Sequence, residues 1–174
     1  DCSRSAAPMA ETTAALLAEV ARTFEAAGRT PRFSLWGVST LAQPLAGCGM
    51  PGGAAGGVPL AEALRALRAL RYDGGTDLSL LDGVLSDVLS GGGAGGAPCE
   101  AAVLVSDGVD NLPGKRRPTL QLAGGGACPP LFVPLPPPGH NANLSTLRWL
   151  AYQTGGRTLP VGSAPQRAGF AAAV

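Results

Sequence analysis

Histidine, lysine and charge are all scarce in this sequence of 174 residues. His140 is the one histidine, so the chain cannot build a zinc site from several histidines. A Ser-His-Asp catalytic triad would have to use this same residue, which lies in a proline-rich loop. Lys115 is the one lysine, and no Walker-type phosphate-binding sequence is present. Charged residues make up 14%, and the net charge of +1 excludes the broad basic surface of a general nucleic-acid binder.

Cysteine pairs and long apolar runs are missing as well. The four cysteines show no C-x-x-C spacing, which argues against structural zinc, and free, partly buried thiols are favoured over disulfides. No apolar run approaches the ~20 residues needed to span a bilayer, so we predict no membrane insertion by this chain.

Alternating helix and strand patterns fill most of the chain, with glycine-rich and proline-rich stretches between them. The apolar spacing predicts helices over 12–27, 60–70, 77–89 and 144–154. Thr76 and Asn143 are the predicted N-caps of the last two. Strands are predicted over 32–39, 42–46, 101–105, 131–135 and 157–161. Pro44 places 42–46 at the edge of a sheet, and Pro134 is expected to weaken the strand over 131–135. This alternation predicts one α/β domain over 1–174, with a doubly wound, mostly parallel sheet and helices on both faces.

Oxygen-bearing side chains stand where ligands bind in such folds, beyond the carboxyl ends of the strands. Asp1, Ser3 and Ser5 precede the first helix, Thr76 precedes the third, and Asp107 follows the apolar 101–105 run. Alternate residues of a turn can point to one side, so the first three can converge on one point. A set made only of oxygen ligands suits Mg²⁺, Mn²⁺ or Ca²⁺.

These residues resemble the metal-ion-dependent adhesion site (MIDAS) of the von Willebrand factor type A (VWA) domain. The family pattern is D-x-S-x-S after the first strand, a later threonine, and an aspartate after the fourth strand; all five positions match here, at Asp1, Ser3, Ser5, Thr76 and Asp107. The flanking sequences resemble the VWA domains of large multidomain proteins, often found beside a VIT domain. The resemblance implies a Rossmann-like fold and a longer polypeptide with further domains.

One departure from the family concerns the first strand, which is central in the sheet and should precede Asp1. The sequence begins at Asp1, so we expect a fragment or a trimmed chain, with a gap between the 32–39 and 101–105 strands. Simpler interpretations of the individual residues stay open: Asp1, Ser3 and Ser5 as helix caps, Thr76 as a cap, and Asp107 as the start of a turn. Asp73, Asp77 and Asp110 could support the ligands, but solvated loop or cap carboxylates are favoured, and Trp36 and Trp149 are favoured as core residues.

The resemblance implies a non-catalytic, metal-dependent protein-binding or adhesion module. A divalent cation would take a carboxylate from an Asp or Glu of a partner protein into its open coordination position. Two alternatives remain: a scaffold domain with a vestigial metal site, and a Mg²⁺-dependent phosphohydrolase with an aspartate nucleophile. The second is disfavoured because such enzymes use D-x-D, and the third position here is Ser3.

Overall fold

Helices and strands alternate in the computed structural model, which describes residues 2–47, 57–72, 74–89, 99–110, 120, 128–136 and 138–174. The α-helices within these ranges are α1 (Ala10–Ala26), α2 (Leu60–Arg68), α3 (Leu81–Leu89), α4 (Leu144–Gln153) and α5 (Ala164–Ala173). The strands are β1 (Leu35–Val38), β2 (Ala42–Ala46), β3 (Ala102–Val103), β4 (Leu131–Leu135) and β5 (Thr158–Pro160). Short 3-10 helices precede α1 at Arg4–Met9 and α3 at Leu78–Leu80. The protein is therefore of the mixed α/β class.

The parallel sheet has the order β3-β4-β5 in the described residues. β3 is shorter than the predicted strand over 101–105, and Pro134 in β4 explains why. The N–H of Val133 points to β5, where it donates to Arg157 O (2.9 Å). Because successive backbone N atoms of a strand point to opposite neighbours, the backbone N of Pro134 points to β3. Because proline has no N–H, it cannot donate the bond that would continue the ladder to β3 beyond Val103. β4 is nevertheless the central strand of the three in the described residues.

β1 and β2 form a separate antiparallel pair. Pro44 lies opposite Trp36, and the prediction of 42–46 as an edge strand is confirmed within the described residues. β1 and β3 belong to different sheets, and no strand in the described ranges joins them. The described residues therefore contain the parallel part of the predicted sheet as the three strands β3, β4 and β5.

Two hydrophobic clusters cover the two faces of the parallel sheet. On one face Leu131 and Val133 of β4 pack with α3 and α4, in a cluster that also contains Val38 of β1. On the other face Phe132 packs with Leu16 of α1 and with Phe170 of α5, and the two phenylalanine rings meet edge to face at 6.2 Å. The alternation of side chains along β4 thus gives each helix layer its own set of apolar contacts.

The predicted helices all occur, with one missed helix and one wrong cap. Asn143 caps α4 by accepting from Thr146 N at 3.1 Å, as predicted. Thr76 is not the cap of the third helical segment; Asp77 fills that position, and its carboxylate accepts from Ser79 N. α5 was not predicted, although Ser163 and Gln166 form a capping box at its start.

The simpler interpretations of several other residues are confirmed. Trp36 and Trp149 are partly buried against the larger cluster. Cys2, Cys99 and Cys128 are free thiols, whereas Cys48 lies outside the described residues. The described helices include none with the length and apolarity to traverse a membrane.

Candidate metal centre

The beginning of the chain is fixed against the end of β1. Cys2 N donates to Val38 O at 2.8 Å, and the next residue, Ser3, forms a parallel bridge with Gly74. Gly37 makes this approach possible, because a Cβ at that position would lie 2.7 Å from Cys2 Sγ. These contacts bring Ser3, which is 1% exposed, to the loop that carries Thr76.

That loop buries two polar residues, Thr76 and Asp77, both 0% exposed. Asp77 N donates to Ser39 O at 2.9 Å, which ties the loop to the residue that follows β1. Asp77 Oδ1 accepts from the backbone N of Ser79 at 3.1 Å and from its hydroxyl. The Asp77 side chain therefore caps the 3-10 helix Leu78–Leu80 while it is fully buried.

The third segment, Ser106 and Asp107, begins three residues after the end of β3. Ser106 is 0% and Asp107 1% exposed. Asp107 O accepts from Asn143 N at 2.7 Å, and Asp107 Oδ1 accepts from Val109 N at 2.9 Å. Gly108 has a φ of +72°, and a Cβ there would lie 2.7 Å from Asn143 O, so the turn requires glycine. The start of α4 thereby fixes the position of Asp107.

The second carboxylate oxygen of Asp107 is the unusual atom of this segment. Oδ2 is buried, and it meets no hydrogen-bond donor in the part of the chain that the structure describes. The ion pairs found in that part, Arg22 with Glu19 and Arg29 with Glu100, do not involve Asp107. A buried carboxylate oxygen without a hydrogen-bond donor is destabilising, and a cation bound at Oδ2 would offset that cost.

Each of the three segments adjoins a residue of the same hydrophobic cluster. Val38 accepts the hydrogen bond from Cys2 N, Leu78 follows Asp77, and Leu104 precedes Asp107 by three residues. All three apolar residues belong to this cluster.

The predicted ligands are described to different extents. Ser3, Thr76 and Asp107 are all buried, as described above. Asp1 lies outside the described residues, and Ser5 belongs to the 3-10 helix Arg4–Met9, with no description of its side chain. The structure thus describes the surroundings of three of the five predicted positions.

Two buried polar residues adjoin the predicted ligands without being among them. Asp77 was expected to be a solvated cap, yet it is fully buried, and Ser106 was not counted as a ligand. A local signal existed for both, since each adjoins a predicted ligand at the end of a strand or the start of a helix. Asp110 is exposed, and Asp73 lies outside the described residues.

The donor set contains hydroxyl oxygens as well as carboxylates. No group of three His, Cys, Asp or Glu side chains suited to a metal occurs among the described residues. Any cation held here would therefore depend on Ser and Thr oxygens in addition to Asp107, a combination that suits a hard divalent ion better than zinc or copper.

Comparison with protein-family models, curated proteins and solved structures gave no match for this chain.

Proposed function

We propose that this chain is a VWA-like domain with a doubly wound arrangement, and that it binds a protein partner through a divalent cation. The observation that carries the proposal is the buried Asp107 carboxylate, whose Oδ2 meets no donor among the described residues. The cation would be Mg²⁺, with Mn²⁺ or Ca²⁺ as substitutes, held by Asp1, Ser3, Ser5, Thr76 and Asp107. Helices on both faces of the parallel sheet support the arrangement.

The charges of these ligands leave the site without excess negative charge that would repel an acidic partner. Two carboxylates balance the charge of a divalent ion, while Ser and Thr hydroxyls add none. Mg²⁺ keeps six oxygen ligands and exchanges water for other oxygens, so an Asp or Glu of a partner protein can complete its shell. The proposed role is binding without catalysis.

The test is calorimetric titration of Mg²⁺ into the metal-free protein, followed by titration of a peptide that contains one glutamate into the Mg²⁺-loaded protein. Asp107→Ala and Thr76→Val should each weaken Mg²⁺ binding by at least tenfold, because each removes an oxygen ligand. Asp110→Asn is the matched control: it removes an acidic charge three residues from Asp107 at an exposed position.

Two results would contradict the proposal. Equal Mg²⁺ affinity in wild type and Asp107→Ala would remove Asp107 from the ligand set. Normal Mg²⁺ binding, with no difference between the glutamate peptide and its glutamine counterpart, would remove the carboxylate-binding role and favour a vestigial site in a scaffold domain.

A further inference from the structure

Cys99 and Cys128 occupy equivalent positions ahead of two neighbouring parallel strands. Cys99 lies three residues before Ala102, and Cys128 lies three residues before Leu131. Ala102 and Leu131 are paired residues of β3 and β4. The alignment begins before the strands themselves, since Ala102 N donates to Pro130 O at 3.0 Å. Neighbouring strands lie ~4.8 Å apart. Continued alignment therefore places the two Cα atoms about 5 Å apart, within the range of about 4.4–6.8 Å that a disulfide requires.

The states of the two thiols agree with this placement. Both are free and only partly buried, so they can be reached by a small reagent. Burial raises the pKa of Cys128, and the charge of Cys99 raises it further, which agrees with this placement. Cys2, in contrast, is 4% exposed and packs against Gly37 on the other sheet.

We propose that Cys99 and Cys128 are a disulfide-forming pair, oxidised by a low-molecular-weight disulfide such as oxidised glutathione. The thiolate of one cysteine attacks a sulfur of the reagent, forms a mixed disulfide and releases one glutathione thiolate. The second cysteine, deprotonated, attacks the protein sulfur of the mixed disulfide and releases the other. The protein loses two electrons and two protons, and one oxidised glutathione becomes two reduced ones.

The bond would tether the starts of β3 and β4 and close a loop of 30 residues, from Cys99 to Cys128. This loop contains Ser106 and Asp107. Closing it restricts the unfolded chain, so oxidation should raise the melting temperature by roughly 5–10 °C. The inference rests on the register of β3 and β4 and does not depend on the proposed metal-binding function.

The experiment incubates the full chain with oxidised glutathione at about pH 8.5, near the ordinary pKa of a thiol. Peptide mapping without reduction should then give one cross-linked peptide containing Cys99 and Cys128. The product should stay monomeric at all protein concentrations, and reductant should reverse the rise in melting temperature. Cys99→Ser and Cys128→Ser should each abolish the cross-link and the rise, whereas Cys48→Ser, the matched control, should keep both.

Three results would overturn the proposal. They are stable glutathione adducts on Cys99 and Cys128 without a cross-link, cross-links of either residue to Cys2 or Cys48, and dimers joined through either residue. The melting temperature of each reduced variant shows that it is folded. A failure to cross-link therefore reports on the geometry of the pair.

Discussion

Replacement of Asp107 by asparagine should change protein stability in opposite directions without and with Mg²⁺. The side chain is 1% exposed, and its Oδ1 accepts from Val109 N at 2.9 Å. Asparagine has nearly the same shape and keeps a carbonyl oxygen for that bond. The substitution therefore removes the buried charge while the local turn is retained.

The expected difference in stability between the two metal-free proteins follows from the polar atoms that each leaves without a hydrogen-bond partner. Oδ2 is a charged acceptor without a donor among the described residues, and leaving it so costs more than leaving a neutral buried polar group unpaired, which costs about 1–3 kcal/mol. Metal-free Asp107→Asn should thus be more stable than metal-free wild type by about 1–3 kcal/mol. For a chain of this size, 1 kcal/mol corresponds to a shift of about 2–4 °C in melting temperature.

Mg²⁺ should reverse the order of the two proteins. At a concentration 100 times Kd, a ligand that binds only the folded state stabilises it by about 2.7 kcal/mol. Wild type should gain this amount, and the variant, which lacks one charged ligand, should gain little. The advantage of the variant in EDTA should then become a difference near zero or a disadvantage.

The assay is thermal unfolding across a series of Mg²⁺ concentrations at constant ionic strength, with EDTA as the metal-free condition. Asp110→Asn should follow wild type throughout, because its charge is exposed. A variant that is less stable than wild type in EDTA and gains equally from Mg²⁺ would refute the reasoning. A more stable variant together with an unresponsive wild type would confirm the buried charge and contradict the metal site.

Two further predictions concern the support of the site and the thiols. Gly108→Ala should destabilise the protein by more than about 2 kcal/mol, because its Cβ would meet Asn143 O at 2.7 Å. Gly28 has a similar positive φ but lies in open space, so Gly28→Ala should cost only about 1 kcal/mol. Both free energies of unfolding are measured in urea, and equal costs for the two variants would contradict the steric argument. Burial raises the pKa of both Cys99 and Cys128, so the unfolded chain loses these protons first. Stability of the reduced protein should then be constant below the unfolded pKa, about 8.5, and fall as the pH rises through the folded values. Urea midpoints measured across this range should fall less in the Cys99→Ser/Cys128→Ser double variant, and an equal fall would contradict the assignment.

Local signals in the sequence predicted the elements that depend on neighbouring residues. The asparagine cap of α4 and the edge position of Pro44 are of this kind, because each follows from one residue and its immediate context. α5 belongs with them in principle, since the Ser163–Gln166 capping box is a local pattern. The length of β3 is different: it is limited by Pro134, a residue of another strand, and no window around 101–105 contains that information.

The candidate site divides in the same way. The pattern of oxygen ligands identified Ser3, Thr76 and Asp107, which the structure places in buried surroundings. It could not predict that Asp77 would be fully buried, because this follows from the contact of its backbone with Ser39, 38 positions earlier. Sequence spacing identifies residue types at strand ends, and only tertiary packing decides which of them lose their water.

The stability of the core and the properties of the site are coupled through shared residues. Leu147 belongs to the larger cluster and also contacts the turn that follows Asp107, since a Cβ at Gly108 would lie 2.8 Å from its side chain. The packing that stabilises the fold is therefore the packing that keeps Asp107 out of water. Burial is what makes the unpaired carboxylate oxygen destabilising. If the core loosened and admitted water, this free-energy cost would fall, and so would the free energy gained when a cation binds. Core variants that leave the fold intact should accordingly weaken Mg²⁺ binding in proportion to the hydration that they allow at Asp107.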